Sequence, residues 1–248
     1  MDKSRVSILG HYRKLWYFTF NRFKGETYRE MREYFTGVLI GEIEEFAPMQ
    51  GRRVLDVGGA KGEFCKALSE QRGCDAVNLD PDPGGYVWPQ TVVGRADSIP
   101  FGDNTFDFVI CRGVLEHIPT EAQLSSLEDM HRVTKPGGIC HVTIPPWYNP
   151  HAGHRLKPFH LLPFPAAKRL RKLVFPGSQI RGNSYEEAGL FPVTFRRMRE
   201  LIASVDFDLL ATRDTHLRLH FLTRLPGVRE VAVPAVSFIL RKRRSQPR

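Results

Sequence analysis

Small residues occupy the point where a predicted strand gives way to a predicted helix. The stretch VLDVGGAKGEF, residues 54–64, runs from apolar residues through an aspartate into a turn and then a helix-like segment. Glycine accepts backbone geometries that other residues resist, and it lets the chain approach a ligand closely. A turn of this kind before a helix is typical of sites for nucleotide-like ligands. The candidate residues of this turn are Asp56, Gly58, Gly59, Ala60 and Gly62.

Two further acidic residues lie next to predicted strands. Asp80 ends the second strand in AVNLDPDP, 22 residues after Gly58, and Asp97 precedes the fourth strand in GRADSIPF. Ligands of parallel α/β sheets bind at the carboxyl ends of the strands. An acid about 20 residues beyond a glycine turn is placed to accept hydrogen bonds from both hydroxyls of a ribose. The turn and the two acids together indicate a nucleoside site more specifically than the turn alone.

Histidines are the candidate groups for proton transfer, because imidazole titrates near neutral pH. His117 begins a predicted helix in LEHI, where packing or a hydrogen bond at the helix start is the alternative role. His151 and His154 follow the fifth predicted strand in PPWYNPHAGHRLKPFHLL, at the edge of the sheet where ligands bind. With His160, these two also have a spacing that suits a metal. No carboxylate lies within this stretch, so we expect no metal site.

The composition is that of a soluble globular protein, with 42% hydrophobic and 25% charged residues among 248. This length allows one domain with a sizeable core. The four cysteines form no Cys-x-x-Cys pair, which disfavours a disulfide framework or a zinc ribbon and favours a cytoplasmic location. We expect neither a signal peptide nor a membrane-spanning helix, because no apolar stretch approaches the roughly 20 residues that a span requires.

Predicted strands alternate with predicted helices, which indicates a mostly parallel sheet covered on both faces. Apolar residues spaced three to four apart predict a first helix over residues 28–46. Strands are predicted over 52–57, 75–79, 91–93, 106–111, 138–144, 207–212 and 233–240, and further helices over 64–71, 121–133 and 194–205.

Several of these stretches resemble the class I S-adenosylmethionine-dependent methyltransferases, and within them the type 11 group of small-molecule enzymes. The resemblance covers about residues 50–146, through VLDVGGAKGEF, VNLDPD, GRADSIPFGDNTFDFVICRGVLEHI and MHRVTKPGGICHVTIPP. The third stretch is the most specific, with Asp97, then Ile-Pro-Phe, then Phe106-Asp107 opening a strand, then Leu115-Glu116-His117. A dehydrogenase would instead show Gly-x-Gly-x-x-Gly.

The resemblance implies a Rossmann-like, doubly wound sheet of seven strands with the last one antiparallel. It also implies S-adenosyl-L-methionine as the cofactor. By this resemblance the turn from Gly58 to Gly62 faces the methionine part of the cofactor, and Asp80 faces the ribose. Asp97 and Ser98 face the adenine, and Cys111, at the end of the fourth strand, belongs to the same implied site. Ala60 stands where the family usually has glycine.

We expect a single domain, residues 1–248, in four parts. Residues 1–49 form an N-terminal helical cap, 50–144 the cofactor-binding core, and 193–248 the closing helix and strands. Residues 145–192 exceed the short connection that this topology requires, and connections above about 15 residues are usually functional or disordered. Their aromatic residues argue against disorder, so we expect an inserted lid or acceptor-binding segment after the fifth strand.

Charge is distributed unevenly along the chain. Residues 50–143 carry 9 Lys or Arg and 13 Asp or Glu, whereas residues 144–248 carry 19 and 7. Seven basic residues and no acidic one lie between Pro145 and Tyr185. Clustered cations raise the local concentration of anions, so we expect an anionic acceptor, with a solvated basic face as the alternative. For the basic aromatic stretch 11–25 we expect packing across the cofactor site. The alternative for it, and for the similar stretch 166–175, is peripheral contact with an anionic membrane surface, which the otherwise solvated basic tail 241–248 would reinforce.

Methyl transfer from a sulfonium is an in-line displacement, which requires an acceptor held in position and, for a hydroxyl acceptor, a base. We expect transfer to a hydroxyl of an anionic small molecule or a lipid-linked sugar, with His154, His151 or His117 as the base. The alternative is a non-catalytic module that uses the cofactor fold and its basic face on nucleic acid or membrane. Methylation of nucleic acid is disfavoured, because CRGV follows the fourth strand where Asn-Pro-Pro-Tyr would be expected.

Overall fold

A seven-stranded sheet forms the centre of the molecule. The computed structural model describes residues 7–21, 25–82, 84–214 and 216–244. Phe23 of the first basic aromatic stretch and residues 245–248 of the tail lie outside the described residues. The strands are β1 (Arg53–Val57), β2 (Asp75–Asp80), β3 (Thr91–Val93), β4 (Phe106–Arg112), β5 (Thr134–Ile144), β6 (Phe207–Asp214) and β7 (Val236–Lys242).

The strand order confirms the predicted doubly wound topology. The strands lie in the order β3-β2-β1-β4-β5-β7-β6. Strands β1 to β5 pair in parallel, and β7 runs antiparallel to both β5 and β6. The register pairs Val57 with Leu79 on one side and with Cys111 on the other. The carboxyl ends of β1, β2 and β4 therefore meet at one edge, where the candidate turn and Asp80 both lie.

Helices cover both faces of the sheet. They are α1 (Ile8–Asn21), α2 (Gly25–Glu44), α3 (Glu63–Arg72), α4 (Gln123–Val133), α5 (Phe164–Val174), α6 (Phe195–Ala203) and α7 (Val228–Val231). On one face, Ile40 and Ile43 of α2 and Phe64 and Leu68 of α3 pack against apolar side chains of the central strands. On the other face, α4 and α6 pack against a second buried cluster that includes Phe106. No described helix is long and apolar enough to cross a membrane.

Pairing between strands sets strand ends that the local pattern does not predict. β5 begins at Thr134, four residues earlier than predicted, because Thr134 pairs with Phe106 across a register shift in β4. β7 begins at Val236 instead of residue 233 and extends to Lys242, which pairs with Phe207. In both cases the partner strand decides where the extended backbone starts and stops.

Residues 145–192 fold into a small helical unit with a core of its own. Two single turns of 3₁₀-helix, His154–Leu156 and Phe159–Leu161, precede α5. The unit is tied to the domain by the Trp147 amide, which donates to the Val193 carbonyl at 3.0 Å, and by the Asn149 side-chain amide, which donates to the Val231 carbonyl at 2.7 Å. Its role as a lid stays a prediction. The buried residues of its core are Leu156, Phe164, Ala167 and Leu190.

Several cations of this unit bind its own main chain. The Lys168 ammonium donates to the Gly182 carbonyl at 2.6 Å, and the Arg155 guanidinium donates to the Gln179 carbonyl at 3.2 Å. The Arg171 guanidinium donates to the Lys157 carbonyl at 2.8 Å and lies over the Phe175 ring. These three cations hold the segment together, so only the remaining ones are candidates for an anionic partner.

A neutral histidine is buried in the middle of β5. His141 lies between Ile110 and Ile239 on the neighbouring strands and has no exposed surface. Neither ring nitrogen has a hydrogen-bond partner among the described residues. Burial, together with the positive charge of Arg112, lowers the pKa of His141 to about 3. Below pH 6.5 the unfolded chain therefore binds a proton that the folded chain rejects, so stability falls as the pH falls.

We expect His141→Leu to remove part of the acid sensitivity of folding. Between pH 7.5 and pH 5 the wild-type protein should lose about 2 kcal/mol more of its free energy of unfolding than the variant, at about 1.4 kcal/mol per pH unit below the ordinary pKa. Urea unfolding at the two pH values measures this difference. The exposed His151, replaced by Gln, is the control and should behave as the wild type. Equal pH dependence of wild type and His141→Leu would contradict the assignment.

Candidate functional site

The turn after β1 is fixed by side chains of β2. The Ala60 amide donates to Oδ2 of Asp80 at 2.8 Å, and Nδ2 of Asn78 donates to the Ala60 carbonyl at 2.9 Å. Ala60 has a φ of +49°, in the left-handed region that favours glycine. Gly62, with a φ of +78°, immediately precedes α3. The small residues that the sequence singled out thus form one tightly held turn at the carboxyl edge of the sheet.

Close packing explains the small residue at position 59. A Cβ atom at Gly59 would collide with the Asn78 amide oxygen and the Asp56 carboxylate. The Asp56 carboxylate is buried beneath the turn, and burial raises its pKa, an effect that Arg112 at 3.4 Å opposes. Asp56 therefore supports the turn from below.

Asp80 lies at the tip of β2 with both carboxylate oxygens engaged. Oδ2 accepts from the Ala60 amide and Oδ1 accepts from the Asp82 amide at 2.9 Å. A carboxylate offers about four acceptor positions, so two remain for a ligand. This geometry suits the predicted contact with the two hydroxyls of a ribose.

A mostly apolar cavity of about 150 Å³ opens beside the turn. Complete ligand pockets usually measure about 300–1,000 Å³, so this cavity fits one part of a ligand, such as the nucleobase of a nucleoside. Gly58 lines it, and a Cβ atom at that position would collide with Val114, which lines the cavity too. The residues that define its walls include Val57, Gly58, Leu79, Asp97, Val114 and Ile118.

Asp97 lines this cavity and is held in its ionised form. Its carboxylate accepts two hydrogen bonds from the Arg95 guanidinium, at 2.8 and 2.7 Å, which lower the pKa of Asp97. Ser98 is exposed one residue further on, and its amide donates to the Arg95 carbonyl. Cys111 is fully buried in the core behind the cavity, and burial raises the pKa of its thiol well above the usual range. The Cys111 side chain does not line the cavity.

A second, larger cavity of about 690 Å³ lies between α2 and α3. Arg112 and Thr143, at the carboxyl ends of β4 and β5, form its floor, and Phe35 of α2 lines it together with His216. The Arg112 guanidinium lies 3.9 Å from the centre of the Phe64 ring, which also lines the cavity. The larger cavity thus reaches the carboxyl edge of the sheet at Arg112 and Thr143, while the smaller one lies against Gly58 of the turn.

Glu116, His117 and His154 form a cluster next to the first cavity. One ligand atom of each lies within 4.8 Å of the others. Nε2 of His154 lies 3.5 Å from Oε1 of Glu116, and the rings of His117 and His154 meet edge to face at 4.6 Å. His117 also lines the first cavity. The fold therefore joins two of the three histidines that the sequence proposed as bases.

The other histidines of the segment lie elsewhere. The side chain of His151 is exposed and lies outside the cluster. His160 is buried, with Nε2 hydrogen-bonded to the Trp147 carbonyl at 2.8 Å. It packs against Gly153, where any Cβ atom would collide with its ring. His160 is thus a structural residue of the segment.

Glu116 and Arg112 were not predicted as site residues. Glu116 directly precedes His117 in the stretch LEHI, and this position next to a candidate base was the one signal for it. The Glu116 side chain is only 4% exposed, whereas that of His154 is 40% exposed. Arg112 lies in CRGV, where the sequence showed only that a nucleic-acid motif is missing. Both residues become recognisable once the fold places Arg112 in the wall of the larger cavity and Glu116 against His154.

Comparison with known proteins supports the resemblance to methyltransferases. A family model described as a methyltransferase domain matches residues 28–184. An uncharacterized methyltransferase of Mycobacteroides abscessus is 31% identical over 212 residues, which cover 80% of this chain and 80% of that protein. Another from Mycobacterium tuberculosis is 30% identical over 220 residues, covering 83% and 84%. A SAM-dependent methyltransferase structure from Methanosarcina mazei shares the fold, with a TM-score of 0.53 at 17% identity over 82% of this chain and 98% of that chain. The chain therefore belongs to the methyltransferase-domain family and is a methyltransferase.

Proposed function

We propose that this protein transfers the methyl group of S-adenosyl-L-methionine to a hydroxyl of an anionic acceptor, a small molecule or a lipid-linked sugar. One observation carries the proposal. His117 lies both in the wall of the cavity beside the glycine turn and in the cluster with Glu116 and His154. A cofactor in that cavity would therefore lie next to groups that can activate a hydroxyl.

The residues at the edge of the sheet fit this cofactor. The cavity beside Asp97 would hold the adenine, Asp80 the ribose, and the turn from Gly58 to Gly62 the methionine part. Gly58, with a φ of +68° that favours glycine, brings bare backbone to the wall of this cavity, which supports the fit. When bound, S-adenosyl-L-methionine supplies a methyl group already activated by a positive sulfonium. The protein therefore has to position the acceptor and manage its proton.

The cluster is the part of the site that we assign to activation of the hydroxyl. Glu116 supplies a buried negative charge, and His154, which contacts both Glu116 and His117, takes the place that the sequence assigned to the base. An imidazole or a carboxylate within hydrogen-bond reach of a hydroxyl can assist its deprotonation by about 10²- to 10⁴-fold in rate.

Positive charge on the inserted segment supports an anionic acceptor. Arg169 and Lys172 of α5 are exposed and lie three residues apart, one turn of the helix. Neither is among the cations that bind the main chain of the segment. Leu173 next to them is 74% exposed, so α5 presents an apolar residue beside two cations. A surface of this kind suits an acidic acceptor that carries a lipid.

We expect Asp80→Ala to weaken binding of S-adenosyl-L-methionine by about 1.5–3 kcal/mol, the range for hydrogen bonds to a charged group. Calorimetric titration measures the affinity, and the melting temperature without ligand shows whether the turn is intact. Asp75→Ala is the matched control, because Asp75 begins the same strand at the opposite edge of the sheet. Full affinity in Asp80→Ala, or an equal loss in Asp75→Ala, would refute the ribose contact.

Residues 145–192 are expected to act as a lid over the acceptor, because closing segments exclude water from the reaction. Amide hydrogen exchange should slow in this segment when S-adenosylhomocysteine and an acceptor extract are both present. Residues 195–203 of α6 serve as the internal reference. Unchanged exchange in 145–192, with cofactor binding confirmed in the same sample, would count against a lid.

Replacement of Arg169 and Lys172 by Gln should reduce methylation of a limiting acceptor by roughly 3- to 30-fold, since each exposed ion pair contributes up to about 1 kcal/mol. Affinity for the cofactor should not change. Isotopically labelled S-adenosyl-L-methionine, incubated with soluble and lipid fractions of a cell extract, gives the readout and separates the two kinds of acceptor. The control replaces Arg196 and Arg199 of α6, which are exposed at the same spacing. If both double variants label the acceptor equally, Arg169 and Lys172 do not bind it and are only solvated surface charges.

A further inference from the structure

A carboxylate reaches the histidine-rich segment from another part of the chain. The sequence predicted no metal site, because residues 147–162 contain no acidic residue. The fold removes that objection, since Glu116, in the 3₁₀ turn after β4, lies against His154 of the segment. Two imidazoles and one carboxylate now have ligand atoms within 4.8 Å of one another.

The carboxylate of Glu116 is buried without full compensation. Its side chain is 4% exposed, and Oε2 has no hydrogen-bond partner among the described residues. Oε1 is 3.5 Å from Nε2 of His154, longer than a good hydrogen bond between charged groups. Burying a carboxylate without partners costs several kcal/mol. A cation between Glu116 and the two histidines would supply the missing interaction.

His117 is oriented as a metal-binding histidine is. Its Nδ1 is 2.7 Å from the carbonyl oxygen of Gly189. A carbonyl can only accept a hydrogen bond, so Nδ1 carries the proton and the neutral ring keeps its lone pair on Nε2. A backbone carbonyl that fixes the tautomer and the ring in this way is the usual outer partner of a metal-bound histidine.

A glycine near the cluster leaves the Glu116 carboxylate uncrowded. Gly113 follows β4, and a Cβ atom there would lie 3.2 Å from Oε1 of Glu116, closer than side chains normally approach. The cluster is also open on one side, because the side chain of His154 is 40% exposed. Three protein ligands with an open position are the pattern of catalytic sites for zinc and for similar divalent metals.

We propose that Glu116, His117 and His154 bind one divalent transition-metal ion of the Zn²⁺ class, and that its open position takes the oxygen of the acceptor's hydroxyl. The second half of this inference rests on the proposed methyl transfer, whereas metal binding does not. With the metal bound, His154 serves as a ligand and not as the base, and on coordination the hydroxyl proton leaves to solvent. The oxygen then forms a bond to the methyl carbon as the carbon–sulfur bond breaks, and the electron pair of that bond stays on sulfur in S-adenosylhomocysteine.

The test uses the full-length protein, stripped with a chelator and dialysed, without cofactor or acceptor. Calorimetric titration with Zn²⁺ and visible absorption with Co²⁺ should show one equivalent bound, with the intense bands of a low-coordinate cobalt site. Glu116→Gln and His154→Gln should each weaken binding at least about tenfold. His151→Gln is the matched control, since His151 lies three residues from His154 and outside the cluster.

The outcomes separate the two claims. If Glu116→Gln binds the metal as tightly as the wild type, the metal is attached adventitiously to surface histidines and the proposed site is overturned. No metal binding by the wild type would overturn it too. If Glu116→Gln fails to fold by circular dichroism, the half-exposed His154→Gln decides the question. Cofactor binding without metal binding would refute this inference and leave the proposed function standing. If the protein binds metal but forms no labelled product, whether or not Zn²⁺ is added to the assay, the metal site stands and the proposed function is refuted.

Discussion

The Ala60 peptide, held on both sides by β2, is the constraint on which the rest of the site depends. Asn78 donates to its carbonyl and Asp80 accepts from its amide. A left-handed backbone at a residue other than glycine costs about 1–2 kcal/mol, and these two hydrogen bonds offset that cost. Because the turn is fixed to β2, it also fixes the start of α3 at Glu63 and the wall of the cavity at Gly58.

A second set of contacts joins the inserted segment to the turn after β4. The Phe191 amide donates to the Glu116 carbonyl at 2.8 Å, and the Gly189 carbonyl accepts from His117. At the other end of the segment, His160 binds the Trp147 carbonyl and packs on Gly153, the residue before His154. The position of His154 therefore depends on the internal fold of the segment, while Glu116 depends on the sheet. The cluster exists only where these two parts of the chain meet.

Features that depend on local residue pattern and on the order of elements along the chain could be predicted from the sequence. Alternating strands and helices predicted the sheet, and small residues followed at a set distance by Asp80 predicted the turn and its partner strand. The pairing of Glu116 with His154 could not be predicted, because they are 38 positions apart and His154 belongs to a separate helical unit. Nor could the sequence show that Lys168 and Arg171 bind main-chain carbonyls, since any carbonyl can accept and its location depends on the fold. Charge in a sequence shows which groups are available, and only the fold shows which are already used.

The charges that remain after internal pairing are divided between two places. At the edge of the sheet, Asp56 pairs with Arg112 and Asp97 with Arg95, whereas Asp80 and Glu116 have no Lys or Arg partner among the described residues. That edge therefore keeps negative charge, which favours a positively charged ligand such as a sulfonium or a metal cation. The excess positive charge lies in residues 144–248, on a different part of the chain. Under the proposed function, the negative edge would attract the cationic methyl donor, and the exposed Arg169 and Lys172 of α5 would attract the anionic acceptor.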